Sequence, residues 1–170
     1  MPKQSPIVSS AHLVSETAPG LSELEFALII AGNAFNRWIT RCAAAAGARD
    51  LGPLDVLVLH HVNHREREKR LADICFVLNI EDTHLVNYSL KKLRTLGLVE
   101  TARLGKEVVY TTSEAGKRLC ETYREVRESC LIGALSALGA HDDRDFHAIA
   151  ETLRALSGIY DQAARASSSL

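Results

Sequence analysis

Residues 79–100 read "NIEDTHLVNYSLKKLRTLGLVE". Val86, Leu90 and Leu93 recur at spacings of four and three, which is the apolar stripe of a helix. Thr83, His84, Asn87, Tyr88 and Lys91 fall on its other sides. That set is chemically more varied than a merely solvated face requires. The helix reads as running to about Leu96. After Gly97 the apolar period drops from 3.6 to 2: "LVETAR" over 98–103 and "EVVYTT" over 107–112 are two β-prone runs joined across "LGK". A Gly-Lys centre suits a tight hairpin turn, with Gly105 supplying positive φ.

Upstream, Pro53 opens a helix over "PLDVLVLHHVNH", "REREKR" comes next, and "LADICFVL" makes a short helix. Asn79 is placed to cap the next helix, with Asp82 three residues on. The order is helix, short turn, helix, hairpin: a helix-turn-helix with a β-wing. In that unit the N-terminal half of the second helix enters the major groove of DNA. Asn87 is suited to bidentate pairing with adenine, and Lys91 to guanine acceptors or phosphate. Thr83 and His84 can donate to base edges or phosphates. In the wing, Arg103 and Lys106 are the available cations and are expected to meet phosphate. The DNA-binding set read from the sequence is therefore Thr83, His84, Asn87, Tyr88, Lys91, Arg103 and Lys106.

Charge adds little. Residues 65–106 carry nine Lys and Arg against six Asp and Glu, in a chain of net charge -1. Glu81 and Asp82 would repel phosphate, although acids also stabilise a helix N-terminus.

Long helices flank this unit. Ser22 and Glu25 form an S-x-x-E capping box, with Leu21 and Phe26 as a hydrophobic staple. That helix is expected to reach Ala46 and stop at Gly47, with Leu24, Leu28, Ala31, Phe35, Trp38 and Cys42 on one stripe. Ser113 caps a second long helix to Gly139, striped by Leu119, Tyr123, Val126, Cys130 and Ala134. Asp142 or Asp143 opens a last one, striped by Phe146, Ile149, Leu153, Leu156 and Tyr160.

These residues carry a resemblance. "RLADICFVLNIEDTHLVNYSLKKLRTLGLVE", followed by "VYTTSEAGKRL", is similar to the MarR family of winged-helix transcription regulators. The matching positions are Leu71, Ala72, Ile74, Leu93, Gly97, Leu98, Val99 and Gly116, and the likeness spans about residues 22–165. Thr112-Ser113 stands where Leu-Thr is usual. The resemblance implies a homodimer with interleaved first and last helices, binding a palindromic operator in double-stranded DNA, and repression relieved by a small-molecule effector. It also implies an Asp-x-Arg pair in the wing, whose arginine reads the minor groove; "ARLGKEVVYTT" has no such pair.

The expected class is thus mostly α with a small β-hairpin wing. Residues 1–20 form an N-terminal arm and 21–166 a MarR-like winged-helix domain. Within it, 52–112 are the winged helix-turn-helix and 22–47 and 113–165 the dimerisation helices. The rival reading is a winged-helix protein-interaction module without DNA binding.

Other chemistries find less support. His60 and His64 sit four apart, but no carboxylate or cysteine nearby completes a metal set. Cys42, Cys75 and Cys130 lie in apolar stretches and read as packed thiols; the resemblance admits an oxidant-sensing thiol, for which Cys120, between Arg118 and Arg124, is the best candidate. No Ser/His/Asp order, phosphate loop or Gly-rich nucleotide fingerprint is present. Asp142, Asp143 and Asp145 stand where helix starts place acids. The chain is expected to be a cytoplasmic non-enzyme without cofactor, metal or membrane span.

Overall fold

The computed structural model describes residues 6–137 and 143–170; Gly139 and Asp142, the expected helix stop and start, lie outside them. The chain divides into two compact units, one ending at Arg127 and the other beginning at Glu128.

In the first unit, α1 (Pro19–Ala45) is followed by α2 (Pro53–Asn63), β1 (Lys69–Arg70), α3 (Leu71–Val77), α4 (Thr83–Thr95), β2 (Val99–Leu104), β3 (Glu107–Thr112) and α5 (Glu114–Arg127). The strands form one antiparallel sheet in the order β1-β3-β2. The fold is mostly helical with a small winged sheet, as the sequence implies. Ile74 of α3, Val86, Leu90 and Leu93 of α4, Val56, Val58 and Val62 of α2, and Val99 of β2 are fully buried together. This core fixes α4 against α2 and α3 and leaves its far side to solvent.

Several element boundaries differ from the expectation. α1 begins at Pro19, not at Ser22. Proline presets the helical φ of a first turn and needs no N–H partner there. The Ser22 hydroxyl is buried and holds the arm instead: it donates to the Leu13 carbonyl at 2.9 Å and accepts the Ser15 N–H at 3.0 Å. Asn79 is not the cap of α4. It adopts φ 52° in the turn after α3, and Asp82 caps, accepting the His84 N–H at 2.9 Å. The two residues of β1 are too few to show a period in the sequence.

Ser113 caps α5 as expected. Its hydroxyl accepts the Gly116 N–H at 3.0 Å and donates to the Gly97 carbonyl at 2.6 Å. The helix does not continue regularly past Arg127. In the second unit a π-helical turn, Glu128–Ile132, precedes α6 (Gly133–Ala137), and α7 covers Asp143–Ser167. A π turn inserts a residue relative to the 3.6 period and rotates the side chains beyond it. The stripe Leu119, Tyr123, Val126 is accordingly packed, while Cys130 is exposed.

Two cysteine expectations reverse. Cys120 is buried, and burial pushes its thiol up to about 11, far from the thiolate a sensor needs. Cys130 is the exposed one. The histidine cluster also disperses. His60 packs edge-on against Tyr123, with ring centroids 4.4 Å apart. His64 lies beyond the last residue of α2, so the two do not share a helical face. Among the described residues, no helix is long and apolar enough to cross a membrane.

Candidate nucleic-acid interface

α4 is held from one side and presents a polar face on the other. Val86, Ser89, Leu90 and Leu93 are its buried residues. Thr83, Asn87 and Lys91 recur at i, i+4 intervals, and His84 and Tyr88 repeat the interval one residue on, so all five share the outward arc. Thr83, His84, Tyr88 and Lys91 are exposed and Asn87 is half-buried; Tyr88 reaches 73% exposure. The structure therefore brings these five together. Asp82, a concern for phosphate approach, has a local role in capping α4.

A polar clamp that sequence reading missed sets the rotation of this arc. Asp55, in the first turn of α2, is only 7% exposed. Its Oδ2 accepts the Gly52 N–H at 2.9 Å and pairs with the Lys92 ammonium at 2.6 Å; its Oδ1 accepts the Ser89 hydroxyl at 2.8 Å. Two α4 residues one turn apart are thereby hung on a single carboxylate. Asp at the third helical position, after Gly-Pro, signals a helix start in the sequence. Nothing in the sequence pairs it with residues more than thirty positions away.

The wing is a two-residue hairpin. Leu104 pairs with Glu107 across Gly105 and Lys106, and Gly105 takes φ 64°, where a side chain is disfavoured. Arg103 stands opposite Val108, and both Arg103 and Lys106 are exposed. They lie on the wing rather than on α4, so the seven expected residues fall into two groups. Leu104 and Val108 beside the turn are exposed as well. An ion pair between Arg70 and Glu107, at 3.0 Å, ties β1 to the start of β3; both partners are half exposed, so it contributes little stability.

Comparison with known proteins agrees with this geometry. Residues 51–116 match the family model of a winged helix DNA-binding domain. No curated protein matches the chain. Among solved structures it is similar to AbfR of Staphylococcus epidermidis, with 18% identity over 86% of this chain and 95% of that one, at a TM-score of 0.68. A MarR family transcriptional regulator from Rhodococcus sp. RHA1 shares 14% identity over 79% and 91%, at 0.64. CouR from Rhodococcus jostii RHA1, bound to p-coumaroyl-CoA, shares 14% over 78% and 90%, at 0.62. The chain thus has the winged-helix fold of the MarR family regulators, and the resemblance read from its sequence is borne out at the level of the fold.

Proposed function

We propose that the chain is a sequence-specific transcriptional regulator that binds double-stranded DNA. The observation that carries this reading is the clamped α4, whose outward arc presents Thr83, His84, Asn87, Tyr88 and Lys91 while Arg103 and Lys106 stand on the adjoining wing. An amide at a central position of such an arc reads adenine, and lysines at its edge and on the wing meet phosphates. Selection of bound fragments from the organism's own genome supplies the operator, and substitutions then separate the two groups. Asn87→Ala is expected to cost about 1–3 kcal/mol at one operator position and to relax base preference there. The Arg103→Ala, Lys106→Ala pair is expected to weaken cognate and scrambled duplexes alike and to lower the salt slope by about two. A chain that binds no duplex at low salt is a protein-interaction module instead.

The regulator works as a homodimer on a palindromic site. Ile29, Ile30 and Phe35 of α1, and Ile149 and Ile159 of α7, are exposed in the single chain. Apolar faces of this extent are covered by a partner in stable soluble proteins. A second copy using residues 22–46 and 113–165 covers them, and two α4 arcs then meet two half-sites. Sedimentation at micromolar concentration is expected to show a dimer; a folded monomer overturns this assembly.

Repression relieved by a small-molecule effector completes the reading. A cleft of about 730 Å³ between α2 and α5, lined by His60, Asn63, Tyr123 and Arg124, offers the space. CouR, of the same fold, is solved with p-coumaroyl-CoA bound.

A further inference from the structure

The segment joining α2 to β1 has features that DNA reading by α4 and the wing does not use. Arg65 and Glu66, both non-glycine, adopt left-handed backbone at φ 62° and 47°. Such residues persist only where their surroundings enforce the conformation. Here Lys69 enforces it. Lys69 is 9% exposed, and its ammonium donates to the His64 carbonyl at 2.8 Å and the Arg67 carbonyl at 3.0 Å. Two of its three N–H groups are thus used. It makes no ion pair among the described residues, whereas buried charges in folded proteins are normally compensated.

A cleft of about 500 Å³ adjoins this lysine, and Arg65, Arg67, His61 and His64 also line it. Its acids are Glu68 and Asp73, and the Asp73 carboxylate already accepts the Arg70 N–H at 3.2 Å. The Nε2 of His61 is shielded from solvent and lacks a hydrogen-bond partner. The local field is positive: burial lowers the His61 pKa first, then Lys69 and His64 lower it further, with Asp73 opposing.

We propose that this cleft binds a small solute through a phosphate group, held by Arg65, Arg67 and the remaining N–H of Lys69. A tetrahedral oxyanion offers acceptors in several directions, as three cations around one cleft require. The sheet register sets the cleft back from the wing tip: Lys69 pairs with Tyr110 in the interior of β3, whereas Gly105 and Lys106 turn before Glu107 at its start. The site still has a route to the wing, because β1 is hydrogen-bonded along β3 and Arg70 reaches Glu107 beside the turn. The inference stands apart from the DNA-binding reading.

The test tracks the His61 imidazole by NMR, assigned by its loss in His61→Gln, during titration with inorganic phosphate at constant ionic strength against chloride. Phosphate is expected to raise the His61 pKa with saturation, and chloride is not. In the Arg65→Gln, Arg67→Gln variant the apparent affinity should fall by about ten-fold or more, equivalent to at least one lost charge-assisted contact. Both arginines are exposed, so the unfolding midpoint of that variant in chloride should match the parent. Equal responses to phosphate and chloride, or an unchanged affinity in the variant, overturn the proposal. So does a His61 response that saturates with duplex DNA but not with free phosphate, which assigns the cleft to the DNA backbone.

Discussion

Gly116→Ala is expected to lower the unfolding free energy by about 3 kcal/mol, at the upper end of overpacking costs. A β-carbon at Gly116 would lie 2.2 Å from the Leu98 carbonyl oxygen and 2.7 Å from Thr112 Cγ2. The nearer neighbour is backbone, so no side-chain rotation relieves the overlap. That same carbonyl accepts the Ser113 N–H at 3.1 Å. Moving α5 away therefore breaks the contact that fastens it to the start of β2. The wing is rooted at this point, and DNA affinity should fall together with stability. Urea unfolding of the purified variant measures the first effect. Gly20→Ala in the first turn of α1, outside the proposed contact with a second copy, is the control: a β-carbon there meets nothing within 4 Å. Helix propensity alone should make that change neutral or stabilising, by up to about 1 kcal/mol. Equal stability of Gly116→Ala and the parent would show that α5 and β2 do not approach as described.

Asp55→Ala should have a comparable effect by a different route. It strips the Gly52 N–H, the Ser89 hydroxyl and the Lys92 ammonium of their common acceptor. Breaking a buried charged pair costs about 3–5 kcal/mol, and because the Lys92 side chain stays 32% exposed and can turn to water, a loss near 3 kcal/mol is expected. Lys92→Met alone leaves Asp55 buried with its two neutral donors and should cost less. Removing both partners should cost less than the two single losses added, since the second change no longer strands a charge. The thermodynamic cycle over Asp55 and Lys92 measures this, and additive losses would mean that the pair is not coupled. A second readout is selectivity: with α4 free to rotate, the ratio of cognate to scrambled binding should fall even where the variant is fully folded.

The sequence made the arrangement of elements legible where hydropathy is periodic. Val86, Leu90 and Leu93 mark the inner face of α4, and all three are fully buried. The change of period after Gly97 locates the wing, whose turn falls on Gly105 and Lys106. What escaped was decided by hydrogen bonds between distant residues. Ser89 and Lys92 look like outward polar positions, yet both turn to Asp55. Ser22 has the spacing of a cap and instead binds the arm. The π turn at Glu128–Ile132 changes only which carbonyl each N–H meets, which leaves no trace in composition. Cys120 was misjudged because charged neighbours in the chain do not report burial: its thiol packs into the core beside Tyr123, out of reach of solvent. The candidate site was legible as a set of residue types on one arc, because α4 keeps an uninterrupted helical period. Its fixed orientation was not.

The residues that hold α4 and those on its outward arc are two separate sets. Val86, Ser89, Leu90, Lys92 and Leu93 face inward, and Thr83, His84, Asn87, Tyr88 and Lys91 face out. Only Asn87, half-buried, borders the packed side; the other four arc positions are exposed. Substitutions at those four leave the core and the clamp untouched, where exposed changes typically shift stability by less than about 0.5 kcal/mol. If the arc reads DNA as proposed, a lineage can drift to new target sites without passing through misfolded intermediates, and the arc is the place to graft a chosen specificity with the remainder of the chain kept as a fixed chassis.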